Sequence, residues 1–281
     1  MSAGAPVDRL RERLARLGAP LCLGIDPHPE ALPPDLPRDV RGIETFARGL
    51  LEAAGPMATA VKVNVAFFEA YGSAGWAALE RLRADVPAEL PIIADAKRGD
   101  LASTAERQAA SLFGTLDVDG VTLSPYLGED AIEPFLAFPD RLVYVLARTS
   151  NPSAGTLQHL ATAAAGEGGS QPLYERVARW VAGRWLEPRV GLVVGATAPA
   201  ELEALRRKLP GPAFLVPGVG AQGGDLAAAV RACHGRLAPG LVNVSRGIAG
   251  EARDGDWRAS MAAAALRWNE AMAEVGATLP A

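Results

Sequence analysis

The chain has 281 residues, 49% of them hydrophobic, with a net charge of −4 and two cysteines. The mild acidity and the lack of a long basic run argue against nucleic acid or an anionic membrane as partner. Two cysteines make no disulfide framework, so Cys22 and Cys233 read as buried free thiols of a reducing cytosol.

The N-terminal stretch VDRLRERLARLG is charged throughout and lacks the apolar centre of a secretory signal. Leu10, Leu14 and Leu17 at helical spacing predict a first helix packed on the body of the protein. PLCLGID (20–26) then reads as a strand closing on Asp26. Phe46, Leu50 and Leu51 mark a helix before the second strand, TAVKVNV (59–65); Leu79, Leu82 and Val86 mark one before the third, PIIADAK (91–97). DGVTLS (119–124) and RLVYVLA (141–147) follow as strands four and five. A long Gly-, Ser- and Ala-rich connection (148–172) comes next; loops of that length in a compact domain are mostly functional, and one leaving a strand's C-terminal end suits a cover over a substrate. RVGLVVG (189–195), a helix marked by Leu202, Leu205 and Leu209, AFLVPG (213–218), GLVNVS (240–245) and a last helix from about Asp256 to Ala273 complete the series.

Continuous apolar runs mean strands buried on both faces, the pattern of a parallel sheet. Eight of them alternating with helices over the ~250 residues a barrel takes predict a single-domain (β/α)8 TIM barrel across 1–281. No apolar run approaches the ~20 residues of a membrane span. A soluble, cytoplasmic protein is expected.

Polar residues gather where such a barrel builds its chemistry, at the C-terminal strand ends. Asp26 ends strand one, Lys62 and Asn64 end strand two, and Asp95 and Lys97 end strand three. A spacing of two puts each pair on one face of an extended chain. Gly99 is expected to let the chain turn sharply after Lys97, so that Asp100 can point away from its own barrel; Arg98, pointing the other way, reads as structural. Two ammonium and two carboxylate groups at one mouth have no net charge, so they tolerate partial burial while staying ionised. PGVGAQGGD (217–225) after strand seven and NVSRGI (243–248) after strand eight predict an anion cradle, with Arg246 supplying a charged fork for phosphate oxygens. His28, His159 and His234 are isolated and read as surface or packing residues.

DAKRGD (95–100), with LGIDP (23–27), VKVN (61–64), SPYLG (124–128), RTSNP (148–152), PGVGAQGGD and NVSRGI in that order, resembles the orotidine 5'-phosphate decarboxylase family, in its longer bacterial branch. The resemblance implies decarboxylation of orotidine 5'-monophosphate to UMP in pyrimidine synthesis, without metal or organic cofactor, by a homodimer with shared active sites. It implies that Lys97 protonates C6 as carbon dioxide leaves, that Asp95 faces the departing carboxylate, and that Lys62 completes the charge network and holds the ribose. Asp100 would act in the neighbouring subunit's site. Asp26 would hold a ribose hydroxyl, Arg246 and the backbone from Gly218 to Gly220 the phosphate, Gln222 both phosphate and base, and Ser150 and Asn151 the pyrimidine edge. Segment 153–172 matches none of these landmarks. Two other readings stand beside this one. Barrels resembling hexulose-phosphate synthase and keto-gulonate-phosphate decarboxylase share the Asp-x-Lys-x-x-Asp loop but hold magnesium, with an acidic residue where this chain has Lys62; a non-catalytic sensor of phosphate ligands would not need Lys97.

Overall fold

In the computed structural model, which describes residues 4–163, 170–251 and 255–279, the aliphatic runs form the eight strands of a closed parallel barrel. They are β1 (Leu21–Ile25), β2 (Ala60–Asn64), β3 (Ile92–Arg98), β4 (Gly120–Leu123), β5 (Leu142–Arg148), β6 (Val190–Val194), β7 (Ala213–Pro217) and β8 (Leu241–Val244). Each pairs with its neighbours in sequence, and β1 closes on β8 with Cys22 beside Asn243.

The apolar runs are continuous because both strand faces are covered. Outward residues such as Leu23, Val61, Val63, Ile92, Val121 and Val143 join the helices in one large core. Inward residues, among them Cys22, Ala60, Ile93, Leu142, Tyr144, Val193 and Leu215, fill the barrel itself. Tyr144 is the bulkiest of them, and it fits because Gly191 faces it: a Cβ at Gly191 would lie 2.7 Å from the ring. The polar inward residues Lys62, Asp95 and Thr122 stand towards the C-terminal ends of β2, β3 and β4, so the site sits at the C-terminal mouth.

The helices follow their sequence signals. Val40–Ala54 is capped by Asp39, which accepts from the amides of Arg41 and Gly42, and buries Ile43, Phe46, Leu50 and Leu51. The last helix, Trp257–Ala277, starts at the Asp256 cap and runs one turn beyond the expected Ala273. In the first helix, Pro6–Leu17, Leu10 is buried but Leu14 and Leu17 are only half-buried. Arg13 takes the next buried position, because its guanidinium donates to the carbonyls of Gly55 and Ala58.

The connection after β5 carries the short helical turns Pro152–Ala154 and Gly155–Gln158, then a ribbon pairing Ala161–Thr162 with Gln171–Pro172. The part of the 148–172 loop at 164–169 lies outside the described residues. No helix among the described residues is long and apolar enough to cross a membrane.

Candidate active site

At the barrel mouth, a cavity of about 760 Å3 is lined from β1 to β8 by residues that include Asp26, Lys62, Asp95, Lys97, Gln222 and Arg246. Its centre is made by an irregularity between β3 and β4. Ala94 pairs with Val121, but the next pair is Arg98 with Leu123, so β3 spends four residues where β4 spends two. The slack is taken up at Lys97, whose φ of 45° lies in the left-handed region, unusual for a residue with a side chain and costing about 1 kcal/mol or more. The turn expected after Lys97 thus begins at Lys97 itself, with the left-handed φ on the lysine and not on the glycine. Gly99 serves a close approach instead: a Cβ there would meet the Ser124 carbonyl oxygen at 2.6 Å.

This backbone brings the expected charges together. The Lys62 Nζ donates to Asp95 Oδ2 at 2.7 Å and the Lys97 Nζ to Asp95 Oδ1 at 2.6 Å. Thr122, which the sequence reading passed over, completes the group: its hydroxyl accepts from the Lys97 amide at 3.0 Å and donates to Asp95 Oδ1 at 2.9 Å. Burial by itself would drive Lys62 towards the neutral amine, but Asp95 and Asp26 outweigh it and raise its pKa above the ordinary lysine value. Burial would likewise raise Asp95, yet the two ammonium groups hold its carboxyl well below the usual carboxylate range. Beneath them the buried Cys22 thiol is pushed up to about 12, chiefly by burial, and stays protonated. Of the chain's three lysines, two stand in this cluster.

Asp100 does not join it. Its carboxylate accepts from the Leu101 amide at 2.8 Å, and it is absent from the lining of its own chain's cavity. Arg98 turns outward to pair with Glu69, as its parity implies.

Across the mouth, Asp26 has a buried Oδ1 without a hydrogen-bond partner among the described residues, and so do Asn243 at its Oδ1 and Ser245 at its Oγ. Asn243 and Ser245 were missed, although their spacing of two at the end of a strand is the signal that singled out Lys62 and Asn64. Gly24 lets them approach: a Cβ there would lie 2.7 Å from the Ser245 Cβ and 3.1 Å from Asn243 Oδ1.

The glycine loop after β7 takes positive φ at Gly218, Gly220 and Gly223. Gly218 lines the cavity, while Gly220 lies towards Trp268 and is not among the lining residues. The following helix, Leu226–Ala232, has its N-terminus occupied by its own cap, Asp225, so that helix end is not free to take an anion. The Arg246 side chain is exposed and has no ion-pair partner among the described residues.

From the β5 side, the Ser150 hydroxyl donates to Gln222 Oε1 at 3.2 Å, joining the two loops. Asn151 also lines the cavity and is held by Thr149, whose hydroxyl donates to Asn151 Oδ1 at 2.5 Å. Gln158, in the segment that matched no landmark, grips Thr149 twice: its Oε1 accepts from the Thr149 amide at 3.0 Å and its Nε2 donates to the hydroxyl at 2.7 Å. His159 pairs with Glu201 at 3.0 Å, and His234 is exposed. His28 is more than a surface residue, since it lines the cavity, edge-on to Phe67 with ring centroids 4.5 Å apart.

The family model described as "Orotidine 5'-phosphate decarboxylase / HUMPS family" matches residues 19–258. The chain is 49% identical over 254 residues to the orotidine 5'-phosphate decarboxylase of Roseiflexus castenholzii, covering 90% of this chain and 91% of that one. The chain belongs to the orotidine 5'-phosphate decarboxylase / HUMPS family. Among solved structures it is similar to the Leishmania donovani OMP decarboxylase, at 37% identity and a TM-score of 0.82, covering 98% of this chain and 100% of that one. It is similar also to the Leishmania donovani UMP synthase, at 39% identity and a TM-score of 0.83, where it covers 98% of its own length and 57% of the other chain. Every cavity residue from Asp26 to Arg246 falls inside the segment matched by the orotidine 5'-phosphate decarboxylase / HUMPS model.

Proposed function

We propose that the chain, acting as one barrel domain, decarboxylates orotidine 5'-monophosphate to UMP, with Lys97 as the proton donor. The observation that carries this reading is the pair of ammonium groups fixed on Asp95 at 2.6 and 2.7 Å. Breaking the C6–carboxylate bond leaves its electron pair in the ring plane at C6, and carbon dioxide departs neutral. No ring orbital delocalises that pair, so a fixed cation is needed beside it. The Lys97 ammonium stabilises the developing charge, gives C6 its proton, and recovers one from solvent. Its side chain is half exposed, whereas Lys62 is buried, so Lys97 is the more open of the two to a reacting ring atom. Asp95 sits where a substrate carboxylate would be crowded, which adds destabilisation of the bound substrate.

Asp26 and Lys62 take the ribose hydroxyls. Gly218, Gly220, Gln222 and Arg246 hold the phosphate, with Gln222 also reaching the base beside Ser150 and Asn151. Phosphate binding far from C6 helps hold the β5 and β7 loops together over the ring. The buried ammonium of Lys62 between Asp26 and Asp95 disfavours a divalent cation there. This favours the cofactor-free reaction over the magnesium-dependent barrels.

The active form is a cytoplasmic homodimer in which Asp100 serves the partner's site. Supporting it, Asp100 stands outside its own cavity, and the loops after the adjacent strands β3 and β4 expose the apolar residues Leu101, Tyr126 and Leu127.

The test is to follow loss of the ultraviolet absorbance of orotidine 5'-monophosphate after exhaustive chelation, with and without magnesium. Turnover without metal is expected, and in deuterated water the UMP should carry deuterium at C6. A strict magnesium requirement would overturn the reading in favour of the related barrels.

A further inference from the structure

We infer that Thr122 is a positioning residue of the decarboxylation proposed above, locking the Lys97 backbone and the Asp95 carboxylate into one unit through its hydroxyl. Three contacts close a ring. The Lys97 amide donates to the Thr122 Oγ1 at 3.0 Å, that hydroxyl donates to Asp95 Oδ1 at 2.9 Å, and the same oxygen accepts from the Lys97 ammonium at 2.6 Å. Lys97 is thus held at both ends of its residue, backbone and side chain, by groups that share one carboxylate oxygen.

The location explains why this hold is needed. Lys97 sits at the slack of the β3–β4 irregularity with a φ of 45°, and the ladder supplies no partner strand residue for it between the Ala94 and Arg98 pairings. Without another acceptor, its amide would be unpaired at the inner wall and the left-handed turn free to relax. Thr122 is 1% exposed and paired to Tyr144 in the β4–β5 ladder, so its own position is rigid. A rigid hydroxyl inserted into the irregular stretch converts a strained backbone into a defined direction for the ammonium. Reaction rates fall steeply when a reacting group is displaced by even ~1 Å, so such a hold acts on turnover more than on binding.

The test compares Thr122→Val, which keeps the shape and removes the hydroxyl, with Thr122→Ser, which keeps the hydroxyl. In Thr122→Val, kcat is expected to fall about 10- to 100-fold while KM and UMP affinity stay within about threefold, the range for losing one or two hydrogen bonds that set geometry. Thr122→Ser should recover most of kcat. If Thr122→Val does not fold, Thr122→Ala takes its place. A kcat within threefold of the wild type would overturn the inference, and so would Thr122→Ser being as impaired as Thr122→Val, or a loss of UMP binding that matches the loss of rate. Because the inference rests on the proposed reaction, amide hydrogen exchange at Lys97 supplies a readout free of it. Protection in the wild type and its loss in Thr122→Val support the lock even if orotidine 5'-monophosphate is not turned over; unchanged protection would overturn it.

Discussion

Lys62 and Asp95 lie 2.7 Å apart with 5% and 11% of their side chains exposed. Each keeps the other ionised where burial would neutralise it. Asp95, lowered on folding, contributes stability above its unfolded pKa, about 3.9, that is lost as pH falls through its folded value; Lys62, raised on folding, contributes stability below about 10.4 that is lost as pH rises through its folded value. The pair should therefore give a flat Tm between about pH 5 and 9. Asp95→Asn breaks a buried pair and should cost about 3–5 kcal/mol. With only three lysines in the chain, carbon-13 labelling of lysine resolves the side chains directly. The Lys62 signal should not titrate at pH 10.5 in the wild type and should do so at lower pH in Asp95→Asn; identical titration in both would contradict the coupling.

Lys97→Ala removes the proposed proton donor and one of the two cations on Asp95. The kcat should fall by more than about 10³-fold, a general-acid loss compounded by an electrostatic one. UMP binding, measured by calorimetry, should persist, since the phosphate and ribose contacts lie elsewhere. A variant retaining a tenth of wild-type kcat would remove Lys97 from the chemistry.

Arg246→Ala should lower kcat/KM by about 10- to 100-fold for each charge-assisted hydrogen bond lost, taking ~1.5–3 kcal/mol per bond. If phosphate binding holds the site closed as proposed, phosphite dianion should accelerate a phosphate-free substrate in the wild type and less so in the variant. An unchanged kcat/KM would mean that the phosphate binds elsewhere.

Lys97→Ala and Asp100→Ala should each be nearly inactive alone. If Asp100 serves the partner's site, a heterodimer of the two holds one doubly defective site and one intact site. Refolded together in equal amounts, about a quarter of all sites should recover. Demonstrated subunit exchange without recovered activity would return Asp100 to its own chain.

The barrel was legible because its strands are covered on both faces, so each appears as an unbroken aliphatic run ending in polar residues. Lys62, Asp95 and Lys97 were legible for a related reason: a spacing of two at a strand end marks one face, and adjacent strands bring those faces together. Thr122 was not, since a threonine amid VTLS is ordinary strand filler. Its part depends on β3 and β4 falling out of register beside it, a long-range fact with no local sign. Gly99 marked the turn after Lys97 but not which residue would take the left-handed conformation. The local preference for turning at glycine yielded to Thr122 and Asp95, which hold the left-handed turn at Lys97. Gln158 was hidden because its two bonds to Thr149 arise from a helical turn folded back on β5 within a segment without a recognisable landmark.

Tyr144, seated over Gly191, stops the barrel from below. A vessel closed at one end has a single doorway, and everything that goes in must come out the same way. In the proposed reaction both products therefore leave through the mouth by which the substrate entered. Tyr144 and Gly191 impose that one-sided route without lining the cavity themselves.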